Sequence, residues 1–439
     1  MTGVDETAIS ILSKHPLCDY CLGRQFARIS TGLSNRERGR AIKLVLLMDA
    51  WKAGDREKLT ILAVNAGVEA AADEVARLSG ERPQQNPCSI CGGRLSEETF
   101  RTMAEKIVAN LAEYEYRSFL VGASVPALVR ELDDNIRSAY GLDTGEDFKN
   151  DVTREVGKLI NMYTGAVTDH LTPDITVIVN IFTEAHQIIP SPLFIRGNYL
   201  KHQRNIPQSV WHCRRCWGRG CSNCGYTGRE YPTSVSEIIG LPAVELFKAE
   251  GFKFHAAGRE DVDALVEGEG RPFVLELKRP RKRLLNLDDV ERILNERASG
   301  LVSVRNLRYA SRREMRELKI TSHITVKTYS VGTEFEREVD QSKLLEVENS
   351  LRGAMVEQWT PSRVLKRRGE KLRRKLVHEV KATQIGPNKV NFTIRCQGGL
   401  YVKELITGDG GRTKPSVAEM LDNNPVKIEL TVVGVEVLG

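Results

Sequence analysis

The sequence predicts a soluble, multidomain α+β protein, and three observations carry that expectation. At 439 residues the chain is too long for one small core, so two or three domains are expected. Hydrophobic residues make up 41% and charged residues 28%, the balance of a folded globular chain rather than a disordered one. The patterning also changes along the chain: helical in the first third, a small α/β unit in the middle, then a long mixed region rich in strands. No apolar run is long enough to span a bilayer. The N-terminus has neither a basic segment nor an apolar stretch behind it, so no secretory signal is expected and the cytoplasm is the expected location.

The elements follow in order. Residues 37–53 carry an apolar stripe through Ile42, Val45, Leu46 and Met48, the spacing of a helix. Residues 68–78 and 99–111 have similar spacing, and Ser96-Glu97-Glu98 supplies a start signal for the latter. Residues 118–122 read as a strand, 126–140 as a helix opened by Pro126, and 151–162 as a second helix. Residues 174–182 are almost all apolar, as in a buried strand. Residues 192–201 read as another strand, ending in aromatic and basic residues. A Gly-, Cys- and Arg-rich connector fills 204–231. Beyond it, strands are expected at 271–277, 324–332, 375–383, 389–396 and 426–437, the last alternating through Ile428, Leu430 and Val432.

The net charge of +6 is modest, but its distribution is not. Residues 363–375 carry eight basic side chains (Arg363, Lys366, Arg367, Arg368, Lys371, Arg373, Arg374, Lys375) against one acid, Glu370. Residues 278–283 add Lys278, Arg279, Arg281, Lys282 and Arg283. Two cationic segments in one half of the chain point to a polyanion, most simply nucleic acid.

Eight of the nine cysteines form four Cys-x-x-Cys pairs: Cys18/Cys21, Cys88/Cys91, Cys213/Cys216 and Cys221/Cys224. Without a secretory signal, zinc is a better explanation than disulfides. Zinc takes four thiolates in a tetrahedron, and two paired turns deliver them. Cys18/Cys21 is expected to pair with Cys88/Cys91 across the intervening helices. The second set is tighter, and Gly218 and Gly220 permit its sharp reversal. Neither set leaves an open coordination position, so the metal is expected to be structural. Cys396 stands alone in an apolar strand and reads as core.

Gly258-Arg259-Glu260-Asp261 is the stretch most suggestive of chemistry. A carboxylate placed after a Gly-Arg turn can be held rigidly beside cations, at the floor of a cleft. Alone, such a turn is more often a solvated loop.

Three segments carry a resemblance that decides between these. One is Phe254 to Asp263, followed by Gly270-Arg271-Pro272-Phe273. The second is Thr360-Pro361-Ser362-Arg363 through Arg368. The third is Gly399-Leu400-Tyr401-Val402-Lys403-Glu404 with Gly408 to Pro415. These resemble the pseudouridine synthases, and the whole chain resembles the archaeal and eukaryotic tRNA pseudouridine synthases of the Pus-ten type. The middle region resembles a THUMP RNA-binding domain, through Phe194 to Lys201 and Arg204 to Gln208.

The resemblance implies the domain plan: a helical zinc-binding region (1–115), a THUMP-like domain (116–210), a four-cysteine knuckle connector (211–232) and a catalytic domain (233–439). It implies a mixed, mainly antiparallel sheet flanked by helices in that last domain. The implied reaction isomerises uridine in the TΨC loop of tRNA, at position 54, 55 or both, without an organic cofactor. The family's essential aspartate falls on Asp261, with Asp263 as the nearby alternative. Tyr329 falls on the aromatic that stacks on the target base, and Lys403 on the basic residue that pairs with the aspartate. Tyr401 is expected beneath the site on the same strand face, and Leu421 lining the base pocket. Arg259 belongs to the same turn. Arg363, Lys366, Arg367, Arg368, Arg412 and Lys414 are expected to contact RNA, and the protein to act as a monomer.

The chemistry is consistent with these roles. A cation beside the aspartate favours its ionised form. A stacked uracil must be flipped out, and an aromatic face recovers part of that cost. Whether Asp261 attacks C1′, attacks C6 or removes a proton stays open. The chief rival is a zinc- and THUMP-containing tRNA chaperone with an inert C-terminal domain, which needs none of Asp261, Tyr329 or Lys403. A methyltransferase or thiouridine synthetase needs a nucleotide-binding glycine loop; Gly408-Asp409-Gly410-Gly411 lacks the spacing and runs into Pro415.

Overall fold

A computed structural model describes residues 3–321, 325–365 and 369–436. The chain divides into two compact units, Met1–Ser191 and Pro192–Gly439.

In the first unit, six helices precede a small sheet. Ser34 and Glu37 form a reciprocal capping box at the start of the helix Asn35–Ala53, and Gly54 ends it in left-handed backbone. The sheet orders its strands as Val167–Thr168, Ser118–Ala123, Ile175–Asn180 and Ala185–Pro190; the first three are parallel and the last is antiparallel. Helices Ala127–Ala139 and Phe148–Thr164 complete it. Ile175–Asn180 alternates between buried and half-buried positions, so it is less enclosed than its apolar run predicted. The sequence separates a zinc-binding region from an α/β domain at residue 115, yet one apolar core runs from Ala8 to Ile181. A buried ion group ties the two parts. Arg24, on the helix Asp19–Gln25, reaches Asp133 at 3.1 Å and Asp151 at 3.5 Å.

The second unit is built on one long sheet. In spatial order its strands are Thr413–Lys414, Met355–Gln358, Arg373–Gly386, Lys389–Gln397, Val326–Phe335, Pro425–Glu436, Leu265–Lys278, Leu193–Lys201 and Val302–Ala310, and Gly251–Ala256 also pairs with Leu265–Lys278. Among the described residues every pairing in this sheet is antiparallel except Pro425–Glu436 with Leu265–Lys278, a short parallel seam at Thr431↔Leu265 and Val432↔Val266. Helices including Val235–Leu246, Leu287–Arg297 and Gln341–Leu351 pack against it. The strand Leu193–Lys201 corrects the sequence-based division. The pattern places it in the middle domain, but it pairs with Leu265–Lys278 and Val302–Ala310. Its alternation fits burial in the larger sheet, where Tyr199 and Lys201 point inward. Among the described residues, no helix is long and apolar enough to cross a membrane.

Candidate active site and metal centres

Asp261 lies in the loop 257–264, between the strands Gly251–Ala256 and Leu265–Lys278. The parallel seam begins directly after this loop, so the loop stands where the two halves of the sheet meet. Gly258 has φ 82°, backbone that glycine tolerates best. A Cβ there would lie 2.9 Å from Lys327 Nζ, so a side chain would have to displace that ammonium as well as accept the left-handed backbone.

Side chains from elsewhere in the unit pin the loop almost residue by residue. Arg271 Nη1 donates to the carbonyl of Ala257 (2.8 Å) and Gln208 Nε2 to that of Gly258 (3.0 Å). Lys201 Nζ donates to the carbonyls of Asp261 (3.3 Å) and Val262 (2.9 Å), and Arg204 Nη1 to that of Asp263 (2.6 Å). Glu260 points inward. Its carboxylate accepts from Tyr199 Oη (2.7 Å) and Gln208 Nε2 (3.1 Å). Arg271 Nε stands 3.0 Å from the same carboxylate, and both side chains are fully buried. Burial brings the Lys201 ammonium down to a pKa of about 8, although Glu260 and Asp263 favour its charge. It brings Lys327 down to about 8 as well, with Arg271 adding to the effect.

The Asp261 carboxylate itself faces outward, 31% exposed. Arg363 grips both oxygens, Nη1 to Oδ1 at 3.1 Å and Nη2 to Oδ2 at 3.0 Å. The other edge of the guanidinium donates through Nε to buried Glu404 at 2.6 Å. Burial opposes the charge on Arg363, but the Glu404 hydrogen bond and the Asp261 charge outweigh it and raise its pKa. A bidentate guanidinium fixes a carboxylate in orientation as well as charge.

Several expectations change here. The resemblance pairs Lys403 with Asp261, but Lys403 forms its ion pair with Asp263, Nζ to Oδ2 at 2.5 Å. That hydrogen bond offsets burial and lowers the Asp263 pKa. Arg363, expected on the RNA surface, is committed to Asp261 and Glu404. Tyr401 is not on a strand. It is the N-cap residue of the helix Val402–Thr407, tied by its own N–H and C=O to the side chain of Gln358 (2.9 Å each), with Arg373 over its ring at 5.7 Å. Arg259 is exposed and donates to Ser209 Oγ. Arg412 bonds the carbonyl of Thr360 (3.0 Å) and Glu370 (2.7 Å). Lys414 is exposed on the edge strand, beside a hollow of about 640 Å³. Lys366, Arg367 and Arg368 lie outside the described residues.

Tyr329 sits in Val326–Phe335 opposite Val432, which is itself opposite Val266. Two strand spacings, about 10 Å, therefore separate its backbone from the strand leaving the Asp261 loop. Tyr329 is 8% exposed, and burial raises its pKa, so the phenol stays neutral. Leu421 ends the helix Val417–Leu421 and is buried in the same core as Tyr329. Sequence reasoning gave no catalytic-domain role to Tyr199, Lys201, Arg204, Gln208, Glu260, Arg271 or Glu404. Glu260, Arg271 and Glu404 stand inside the segments that carry the resemblance, whereas Tyr199, Lys201, Arg204 and Gln208 had only the polar, basic run after residue 198 as a signal.

The cysteines assemble as two sets. The Sγ atoms of Cys18, Cys21, Cys88 and Cys91 all lie within 4.8 Å of one another, and so do those of Cys213, Cys216, Cys221 and Cys224. All eight are free thiols. Cys18 and Cys91 are 3.6 Å apart; in the second set the nearest pairs are 3.7 to 3.9 Å apart. A tetrahedron with Zn–S bonds of about 2.3 Å has edges of about 3.8 Å. Amides of Gly220 and Gly228 donate to the sulfurs of Cys216 and Cys224 at 3.2 Å each, as thiolate ligands require. Both sets fit a structural metal with soft-ligand preference.

Comparison with known proteins agrees with this architecture. Residues 194–436 match a family described as "Pus10, C-terminal", and residues 103–180 match the archaeal Pus10 THUMP domain. A tRNA pseudouridine synthase Pus10 from Thermofilum pendens is 40% identical over 99% of this chain and 95% of its own. One from Methanopyrus kandleri is 40% identical over 92% of each. A solved chain from a Cbf5-Nop10-Gar1 complex is similar over 54% of this chain and 48% of its own, at 13% identity and a TM-score of 0.31, too low to add weight. The class is therefore that of a pseudouridine synthase, an isomerase carrying a THUMP domain. Within that class the chain belongs to the Pus10 family.

Proposed function

We propose that this chain isomerises uridine to pseudouridine in the TΨC loop of tRNA, at position 54, 55 or both, with Asp261 as the catalytic carboxylate. The observation that carries this reading is the contrast within one loop. Its backbone is fixed at five carbonyls by Arg271, Gln208, Lys201 and Arg204, while the Asp261 carboxylate reaches the surface and is held through both oxygens by Arg363. Such prior ordering suits a group that must meet a substrate without reorganising.

The N1–C1′ bond breaks, the uracil turns, C5 bonds to C1′, the C5 proton leaves, and N1 takes up a proton in its place. No atom is gained overall. Tyr329 offers its ring face to the flipped base, and Leu421 closes the apolar side of the pocket. Arg363 orients Asp261 through the reaction; Lys403 acts on the neighbouring Asp263. The THUMP domain grips the tRNA by shape, through backbone and 2′-hydroxyl contacts. Zinc in both cysteine sets would hold the helical region and the connector in shape, and the enzyme works as a cytoplasmic monomer.

The test is incubation of unmodified tRNA with wild type and Asp261→Ala, mapping pseudouridine by carbodiimide-stop sequencing. Product from wild type alone supports the reading; product from Asp261→Ala refutes Asp261. No product from either on any tRNA would favour a tRNA chaperone. Elemental analysis is expected to give about two zinc per chain; a value near one would remove the Cys213 to Cys224 site.

A further inference from the structure

Residues 213–229 hold four arginines and no acid. The two turns of this segment are built alike. Trp217 N–H donates to the carbonyl of Cys213 at 2.9 Å, and Tyr226 N–H to the carbonyl of Cys221 at 2.8 Å. Each turn thus ends in an aromatic residue tied back to its own first cysteine. Both aromatics adopt positive φ, 54° for Trp217 and 62° for Tyr226, where a bulky residue is uncommon. Both rings face solvent, at 79% and 77% exposure.

The turns leave no interior in which to bury them. A Cβ on Gly220 would lie 2.7 Å from the carbonyl oxygen of Tyr226, and one on Gly228 would lie 2.4 Å from that of Gly218. The backbones are packed against each other, and the side chains are driven outward. Arg214 is neutralised by Glu230 at 2.6 Å and Arg229 by Glu237 at 2.6 Å. Arg215 and Arg219 are exposed and have no acidic partner among the described residues.

We propose that this connector is a second RNA-binding site, separate from the Asp261 loop, in which Trp217 and Tyr226 each stack on an unpaired base while Arg215 and Arg219 meet the adjoining phosphates. Paired exposed aromatics beside free cations are what single-stranded nucleic acid requires: a π-face for each base and a counter-charge for each phosphate. Duplex RNA offers neither ring an accessible base face. The proposal needs RNA as the substrate but not Asp261 as the catalytic group, and binding is read without turnover.

The experiment measures binding of full-length protein to fluorescein-labelled oligouridylate and to a blunt RNA hairpin, by anisotropy at fixed salt. Each of Trp217→Ala and Tyr226→Ala is expected to weaken oligouridylate binding about 5-fold to 150-fold, the range of one stacked base. Hairpin affinity should change less than twofold, and Trp217→Phe and Tyr226→Phe should restore most of the loss. Unchanged zinc content by elemental analysis shows that the connector is intact. Two results would overturn the proposal: a zinc-replete double alanine variant that binds oligouridylate like wild type, or one that loses both RNAs equally. Retained RNA binding with loss of a protein contact would move the surface to a protein partner and also count against it.

Discussion

Asp261 and Asp263 stand two residues apart on one loop, and the two ends of that loop have different surroundings. Asp261 is held through both oxygens by a guanidinium that is itself anchored on buried Glu404. Asp263 is half exposed and meets a single ammonium, Lys403. A fork held at its far edge dictates where a carboxylate points; a flexible lysine neutralises charge without fixing direction. The comparison separates a carboxylate fixed in direction from one that is neutralised without being aimed.

Four measurements sharpen or break that contrast, beginning with the largest effect. Glu260→Ala leaves the Arg271 charge buried without its partner, so urea denaturation should show a loss of about 3 to 5 kcal/mol. Glu260→Gln should lose less, because it still accepts from Tyr199 Oη. Next, Arg363→Ala should lower kcat/KM about 10-fold to 100-fold, the worth of charge-assisted hydrogen bonds, with most of the loss in kcat. Arg363→Lys should recover little, since one ammonium cannot grip both oxygens.

The pH response is smaller and has two signs. Lys201 and Lys327 titrate near 8 in the fold but at the ordinary 10.5 when unfolded. Between those values the unfolded chain binds more protons, so stability rises with pH from about 8 toward 10.5. Wild type should therefore gain on Lys327→Met across that window in denaturation midpoints. Turnover should go the other way. The Lys201 ammonium has three protons for the carbonyls of Ile206, Asp261 and Val262, and losing one through pH 8 frees part of the loop. The smallest effect belongs to the Asp263 end: Lys403→Met should change kcat/KM by less than about fivefold, since Asp263 is half exposed and water can replace the lost ammonium.

The aspartate turn, both cysteine sets and most long strands were legible in the sequence, because each is local. A turn, a Cys-x-x-Cys pair and an alternating run declare themselves within about ten residues. The partners of the turn were not legible. Arg363 sits inside a cationic run, and charge density alone made it a phosphate contact; its bond to Asp261 spans 102 positions. Lys403 was matched to Asp261, while its ion pair goes to Asp263, because chain order cannot resolve a two-residue difference. Tyr401 reads as a strand residue because Val402–Thr407, six residues long, is too short to show a helical period. Tyr199 and Lys201 were hidden by a strand that crosses the expected domain boundary to join a later sheet.

The most direct test sets the two aspartates against each other. Unmodified tRNA is treated under single-turnover conditions with wild type, Asp261→Asn and Asp263→Asn, and pseudouridine is quantified at positions 54 and 55. Asp261→Asn should lower the rate by about 10³-fold or more, the scale for removing a reacting group, while Asp263→Asn stays within about tenfold. Product formed by Asp261→Asn at near the wild-type rate, with Asp263→Asn inactive, would contradict the assignment.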